Sequence, residues 1–110
     1  MNIETRALKH VTVVKVIGRV DSATAPDMEK SLNALIDSDK NQLVLDLFET
    51  DYMSSAGLRV LVSVLKSSKK AGGELRLAHV STRVQEVLDL AGLTPVFQIF
   101  PDVVEAVGSF

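Results

Sequence analysis

The sequence predicts an α/β fold: a mixed, mostly parallel sheet of four to five strands with an N-terminal antiparallel edge, packed by about four helices. Short β-branched apolar runs alternate with amphipathic helical segments, which is the pattern of parallel strands joined by right-handed crossovers. Two strands open the chain without a helix between them, which indicates an antiparallel pair. The length of 110 residues suits one domain, and we expect it to span 1–110.

The first third of the chain changes from strand to helix. Residues 2–9 form a short predicted strand, and residues 11–17 (VTVVKVI) form a more central one because they are β-branched and apolar. Thr24 and Asp27 have the spacing of a capping box, and the helix that follows should end near Asp37. Its apolar residues recur with the period of one helical face; they are Met28, Leu32, Leu35 and Ile36.

The middle of the chain holds a covered strand and the most apolar helix. Residues 42–48 (QLVLDLF) are apolar on both faces, as a parallel strand between two helical layers requires. Residues 49–52 are expected to form a short acidic loop. A helix should run from about Ser55 to Ala71, where a Gly-Gly pair ends it.

The last third repeats the alternation. A strand is predicted at 74–80, and Ser81 or Thr82 caps the helix that follows it. The final elements are a strand at 96–100 and a short helix at 103–107.

Composition excludes several classes of function. The net charge of −2 and the small number of aromatic residues, five, do not suit a basic, base-stacking surface of the kind that binds nucleic acid. The absence of cysteine excludes disulfides, thiolate metal sites and cysteine nucleophiles. The N-terminus has no signal-peptide core, and no apolar run is long enough to cross a membrane. We therefore expect a soluble, cytoplasmic protein that binds neither nucleic acid nor membrane.

The motifs of common enzymes are also missing. His10 and His79 lie in or beside predicted strands and have no partner at metal-ligand spacing. The run SSAGL lacks the first glycine of the G-x-S-x-G elbow, and no phosphate-binding glycine loop precedes a helix. We expect no catalytic residue, no metal and no cofactor.

A pair of serines at the start of the second helix has two interpretations. In YMSSAGLRVLVSVLK (52–66), Ser54 and Ser55 precede Gly57. Serine before an apolar helix is ordinary N-capping, worth about 1 kcal/mol. A helix N-terminus also accommodates a phosphate, and a phosphoserine carries about −1.5 to −2 charges. These residues therefore indicate either a cap or a modification site.

Several segments together resemble a known family. The chain is similar to a STAS domain of the anti-sigma factor antagonist type, and the resemblance covers nearly its whole length. The matching segments are Gly18-Arg19-Val20-Asp21, LVLDL at 43–47, YMSSAGLRVL at 52–61, GGELRLAHV at 72–80 and VQEVLDLAGL at 84–93.

The resemblance implies a function in partner switching. Unphosphorylated members bind an anti-sigma factor that is itself a serine kinase with a histidine-kinase-like ATPase fold, and so release a sigma factor or another client. The kinase phosphorylates the antagonist and breaks the complex, and a metal-dependent serine phosphatase resets it. Such a protein is a binding module and not an enzyme.

The resemblance also implies which residues act. Ser55 matches the phosphoacceptor, with Ser54 as the alternative, because Ser54 stands where many members have aspartate and Ala56 where many have serine or threonine. Asp21 and Asp46 match acidic positions near the acceptor. The expected partner surface comprises Asp21, Ser22, Thr24, Asp46, Tyr52, Met53, Ser54, Ser55, Gly57 and Arg59.

Two other interpretations remain open from the residues. Asp46 ends a strand, as the acceptor aspartate of a receiver domain does, but the acidic pair and the lysine that such a site needs are missing. The chain could also be a STAS scaffold or ligand-binding module that is not phosphorylated.

Overall fold

The computed structural model describes residues 1–110 and confirms the α/β class, the antiparallel N-terminal pair and the four helices. The longest helix has 16 residues, and none is both long and apolar enough to span a bilayer. The elements in chain order are β1 (Asn2–Ala7), β2 (Thr12–Val20), α1 (Ala25–Asp37), β3 (Gln42–Asp46), β4 (Thr50–Met53), α2 (Ser55–Lys70), β5 (Glu74–Ala78), α3 (Thr82–Leu90), β6 (Gln98–Phe100) and α4 (Val103–Gly108).

The sheet has six strands, and β2 is its central organiser. The strand order is β1-β2-β3-β5-β6, with β1 antiparallel to β2 and all other pairs parallel. The nine-residue β2 is long enough to have two partners on the same side. Its first half pairs with β3, whereas Gly18–Val20 pairs with β4 after a shift in register. This division places β4 beside the end of β2.

The fourth strand corrects the prediction of an acidic loop at 49–52. Residues Thr50–Met53 form β4 instead. A four-residue strand that carries an exposed aspartate is too short and too polar to show a strand pattern. At the other end of the sheet, a 3₁₀ turn over Thr94–Val96 replaces the start of the strand predicted at 96–100.

The sheet packs on helices at both faces. The larger core lies between one face and α1, α2 and α3, and its largest fully buried side chains are Met28, Leu32, Leu43, Leu45, Leu47, Met53, Leu61, Leu75, Leu77 and Leu88. The opposite face is covered by the short α4, whose buried Ala106 packs in a smaller cluster with Val11, Val13, Val44 and Ala78. The two faces follow from the alternation of side chains along β2 and β3.

The predicted capping box at the start of α1 is wrong. Thr24 makes no side-chain cap for this helix. Its hydroxyl instead accepts a hydrogen bond from the backbone N–H of Asp21 at 2.9 Å and donates one to the carbonyl of Arg19 at 3.1 Å. These bonds close the turn between β2 and α1. The predicted cap on α3 is confirmed at Ser81, whose hydroxyl accepts from the N–H of Val84 at 3.3 Å.

We expect the stability lost on replacing a leucine by alanine to depend on how deeply that leucine is buried. Leu61→Ala should lower the free energy of unfolding by about 2–5 kcal/mol, because Leu61 of α2 is fully buried in the larger core. Leu90→Ala is the matched control. Leu90 is 89% exposed, so the same truncation should change stability by about 0.5 kcal/mol at most. Urea unfolding of both variants measures the difference, and equal losses would contradict this packing.

Candidate functional site

The ends of two parallel strands bring the predicted site residues together. Val20 ends β2 and pairs in register with Met53, which ends β4. The backbone N–H of Ser54 then donates to the carbonyl of Val20 at 2.9 Å. The starts of α1 and α2 therefore lie beside each other at the carboxyl edge of the sheet.

The two serines have different roles in this geometry. Ser54 has extended backbone angles and is the N-cap of α2, where its hydroxyl accepts a hydrogen bond from the N–H of Gly57 at 3.4 Å. Ser54 is half-buried. Ser55 is the first helical residue, is exposed, and its hydroxyl makes no hydrogen bond within the chain. One serine thus caps the helix and the other presents a free hydroxyl to solvent.

The start of α2 also offers unpaired hydrogen-bond donors. The backbone N–H groups of Ser55 and Ala56 have no acceptor within the chain. The dipole of a helix adds a partial positive charge at this end. An anionic group on the Ser55 hydroxyl would therefore meet two free N–H groups in its immediate surroundings.

The carboxylate of Asp21 organises the neighbouring turn. It accepts hydrogen bonds from the N–H groups of Thr24 at 3.1 Å and Ala23 at 3.0 Å, and from the Nε of Arg19 at 3.1 Å. The backbone bond from Thr24 is the main cause that lowers the pKa of Asp21 below its usual 3.8. Ser22 is exposed at the tip of this turn. The turn therefore presents a fixed carboxylate next to the start of α2.

A stacked pair completes the surface. The guanidinium of Arg19 lies 3.9 Å from the centre of the Tyr52 ring and also forms the ion pair with Asp21. Arg19 was not among the residues expected from the sequence. Its stacking follows from the register of β2 with β4, and β4 had no recognisable strand pattern. Tyr52 is half-buried, so its ring supports Arg19 and still reaches solvent.

Two of the expected contact residues are instead part of the interior. Met53 is only 1% exposed and belongs to the larger core, so its assignment to the partner surface is wrong. Gly57 is also buried. A Cβ at this position would lie 2.7 Å from the Cγ of Met53 and 2.9 Å from the Cγ1 of Val20. A glycine is required here because the neighbouring strands approach the helix closely.

Asp46 lies away from the serines. The side chains of Asp46, Val44 and Lys15 point to the face of the sheet that α4 covers, and Asp46 lines a cavity there with Lys15 and Val103. Its carboxylate accepts from the N–H of Phe48 at 3.2 Å. Strand alternation thus contradicts the expectation that Asp46 borders Ser55.

Glu49, which follows β3, forms an ion pair with Lys15 and raises the pKa of that lysine. Neither Glu49 nor Asp46 therefore adds charge beside Ser55. Across the whole chain, no three Asp, Glu or His side chains are placed to share a metal ion.

Comparison with known proteins gives consistent matches over the chain. The STAS domain family model matches residues 2–106. BtrV of Bordetella bronchiseptica, named as an anti-sigma factor antagonist, is 40% identical over 82 residues, 74% of this chain and 71% of BtrV. The anti-sigma-B factor antagonist of Bacillus subtilis is 30% identical over 99 residues, 90% of each chain. The solved structure of the phosphorylated form of Bacillus SpoIIAA superposes with a TM-score of 0.76, 14% identity and 98% of both chains.

The close packing around Gly57 predicts that alanine is less stable than glycine at this position, which is the reverse of the usual preference in a helix. We expect Gly57→Ala to lower the free energy of unfolding by about 1–3 kcal/mol, because its Cβ overlaps Met53 and Val20. Alanine otherwise favours a helix over glycine by about 1 kcal/mol. Gly108→Ala is the matched control, since no atom lies within 4 Å of its added Cβ. Chemical denaturation should show that Gly108→Ala is as stable as the wild type or more stable. A Gly57→Ala variant more stable than the wild type would contradict the observed packing.

The lowered pKa of Asp21 predicts a pH-dependent contribution to stability. Because the folded pKa lies below 3.8, the contribution is complete above that value and is lost as the pH falls through the folded pKa. Asp21→Asn should be less stable than the wild type at pH 7, and the difference should narrow below pH 3.8. Urea unfolding across this pH range measures it. Ser22→Ala removes no titrating group, so the difference between its free energy of unfolding and that of the wild type should not vary with pH.

Proposed function

The chain belongs to the STAS domain family, among the anti-sigma factor antagonists, and from this premise we propose that it binds an anti-sigma factor serine kinase until phosphorylation of Ser55 releases that partner. Antagonists of this family are regulatory proteins and not enzymes. The chain therefore supplies a binding surface and a phosphoacceptor, and the kinase supplies ATP and the catalytic residues.

The free hydroxyl of Ser55 is the observation that carries the proposal. It is exposed at the first residue of α2, whereas the hydroxyl of Ser54 is used by the cap. Phosphoryl transfer needs an acceptor oxygen that can be aligned with the γ-phosphate of ATP. Ser55 meets this requirement without breaking any hydrogen bond of the fold, and Ser54 does not.

Phosphorylation would change the charge of this surface more than its shape. The phosphate adds about −1.5 to −2 charges and can be held by the free N–H groups of Ser55 and Ala56. Arg59 lies one helical turn later, within reach of an ion pair with the phosphate. Asp21 remains beside it as a second negative charge. A kinase surface that fits the neutral serine would then meet an added negative charge next to Asp21 and would bind the chain less tightly.

The docking surface would centre on the turn between β2 and α1 and on the start of α2. Tyr52 and Arg19 provide a stacked pair of the residue types that dominate binding energy at interfaces. Asp21, Ser22 and Ser55 provide polar contacts around that pair. Thr24 supports the turn from within and makes the surface rigid without being its main contact.

The remaining parts of the switch are those that the family implies. The kinase is expected to have a histidine-kinase-like ATPase fold, and a metal-dependent serine phosphatase restores the binding form. The phosphorylated form of SpoIIAA shows that a chain with this fold can carry the modification. We further propose that residues 1–110 act as one module and that it works in the cytoplasm, where transcription and ATP are found.

The proposal predicts a single site of phosphorylation. Incubation of the wild type with the cognate anti-sigma factor kinase and ATP should add one phosphate, located by mass spectrometry on Ser55. Ser55→Ala should lose the modification completely because it removes the acceptor oxygen. Ser54→Ala should retain it, although loss of the cap should cost about 1 kcal/mol of stability.

The control for both variants is their fold, checked by circular dichroism and thermal unfolding. Acid-stable phosphate on Ser54, or acyl phosphate on an aspartate, would overturn the assignment of Ser55.

A further inference from the structure

A shallow groove begins at Ser55 and follows the outer side of α2. It has a volume of about 590 Å³. The residues that line it are Ser55, Leu58, Arg59, Val62, Ser63, Lys66, Ser67 and Leu93. Seven of the eight come from one face of α2, and Leu93 follows α3 on the other side. The groove is therefore continuous with the surface proposed to meet the kinase.

The floor of the groove is apolar. Leu58 belongs to the larger core, while Val62 and Leu93 are half-buried and pack against it. Val62 and Leu93 are therefore partly open to solvent along one side, whereas Leu58 is buried at the bottom of the groove. A partner side chain placed there would remove apolar surface from water, at about 25 cal/mol per Å² of area buried.

The rim of the groove is positively charged. Arg59 and Lys66 are both exposed, and neither forms an ion pair within the chain. The lining contains no acidic side chain. The two cations are seven residues apart, which is about 10 Å along the helix axis. Such an arrangement complements two carboxylates at the same spacing with an apolar side chain between them.

We propose that this groove receives an acidic segment of the anti-sigma factor kinase. Two carboxylates of the segment pair with Arg59 and Lys66, and an apolar side chain between them rests on Val62 and Leu93. The inference rests on the proposed function because it extends the same docking surface. It adds the chemistry of the partner: a kinase segment with net negative charge that lies along α2 beyond Ser55, next to the acceptor and not over it.

The position of Lys66 makes the groove separable from the phosphoacceptor. Lys66 is 11 residues after Ser55, which is about 16 Å along the helix, so its substitution leaves the acceptor oxygen and the free N–H groups unchanged. Lys66→Glu replaces an attraction by a repulsion of the same segment. Lys70→Glu is the matched control, because Lys70 is an exposed lysine of the same helix that lies outside the groove.

The test is isothermal titration of the kinase with the unphosphorylated wild type and both variants. Lys66→Glu should bind about 5–10-fold more weakly, which corresponds to about 1–1.4 kcal/mol, whereas Lys70→Glu should bind within about twofold of the wild type. The affinity of the wild type should fall as salt is raised, and it should fall less steeply in Lys66→Glu. Circular dichroism and urea unfolding confirm that the variants are folded.

The outcomes distinguish the groove from the proposed function. If Lys66→Glu binds as tightly as Lys70→Glu while Ser55 is phosphorylated in both, the groove is not part of the interface and only this inference is lost. If the kinase neither binds nor phosphorylates the wild type, the proposed function fails and the groove proposal fails with it. Weaker binding of Lys66→Glu, with Ser55 still modified at saturating kinase, supports both.

Discussion

The site depends on the pairing of β4 with the end of β2. That pairing sets Val20 against Met53 and binds the N–H of Ser54 to the carbonyl of Val20, so it fixes where α2 begins. Gly57 allows the first turn of α2 to lie directly on these strands. Because Ser54 is the N-cap, Ser55 is the first residue of α2, and its side chain points to solvent. The separation of a capping serine from a serine with a free hydroxyl is thus a consequence of strand register.

Much of the fold is predictable from the sequence, because its larger elements have clear periods. The segments that form α1, α2 and α3 each show an apolar face, β2 and β3 are rich in β-branched and apolar residues, and β5 alternates apolar with charged residues. The missing strand β4 has neither property. Its pairing is specified by the length of β2, which extends past β3, and that extension is a tertiary feature that no local pattern contains.

The site was predictable in its centre but not in its surroundings. Capping rules identify Ser54 and Ser55, and the family resemblance implies Ser55 as the acceptor with Ser54 as the alternative. The family resemblance implied Asp46 beside the acceptor, and Met53 was expected there as an apolar contact, but strand geometry turns one to the opposite face and the other into the core. Arg19 was missed because its stacking on Tyr52 exists only once β4 is paired. Side-chain direction, unlike residue identity, requires the sheet register.

The central claim is that one added phosphate at Ser55 removes the partner. It is tested most directly by preparing the chain with phosphoserine at position 55 and measuring its affinity for the anti-sigma factor kinase beside that of the unmodified chain. We expect the phosphorylated chain to bind at least about tenfold more weakly, with no loss of fold, because charge is added inside the contact surface. Equal affinity of the two forms would contradict the account and would leave the chain as a scaffold whose exposed serine has no role in switching.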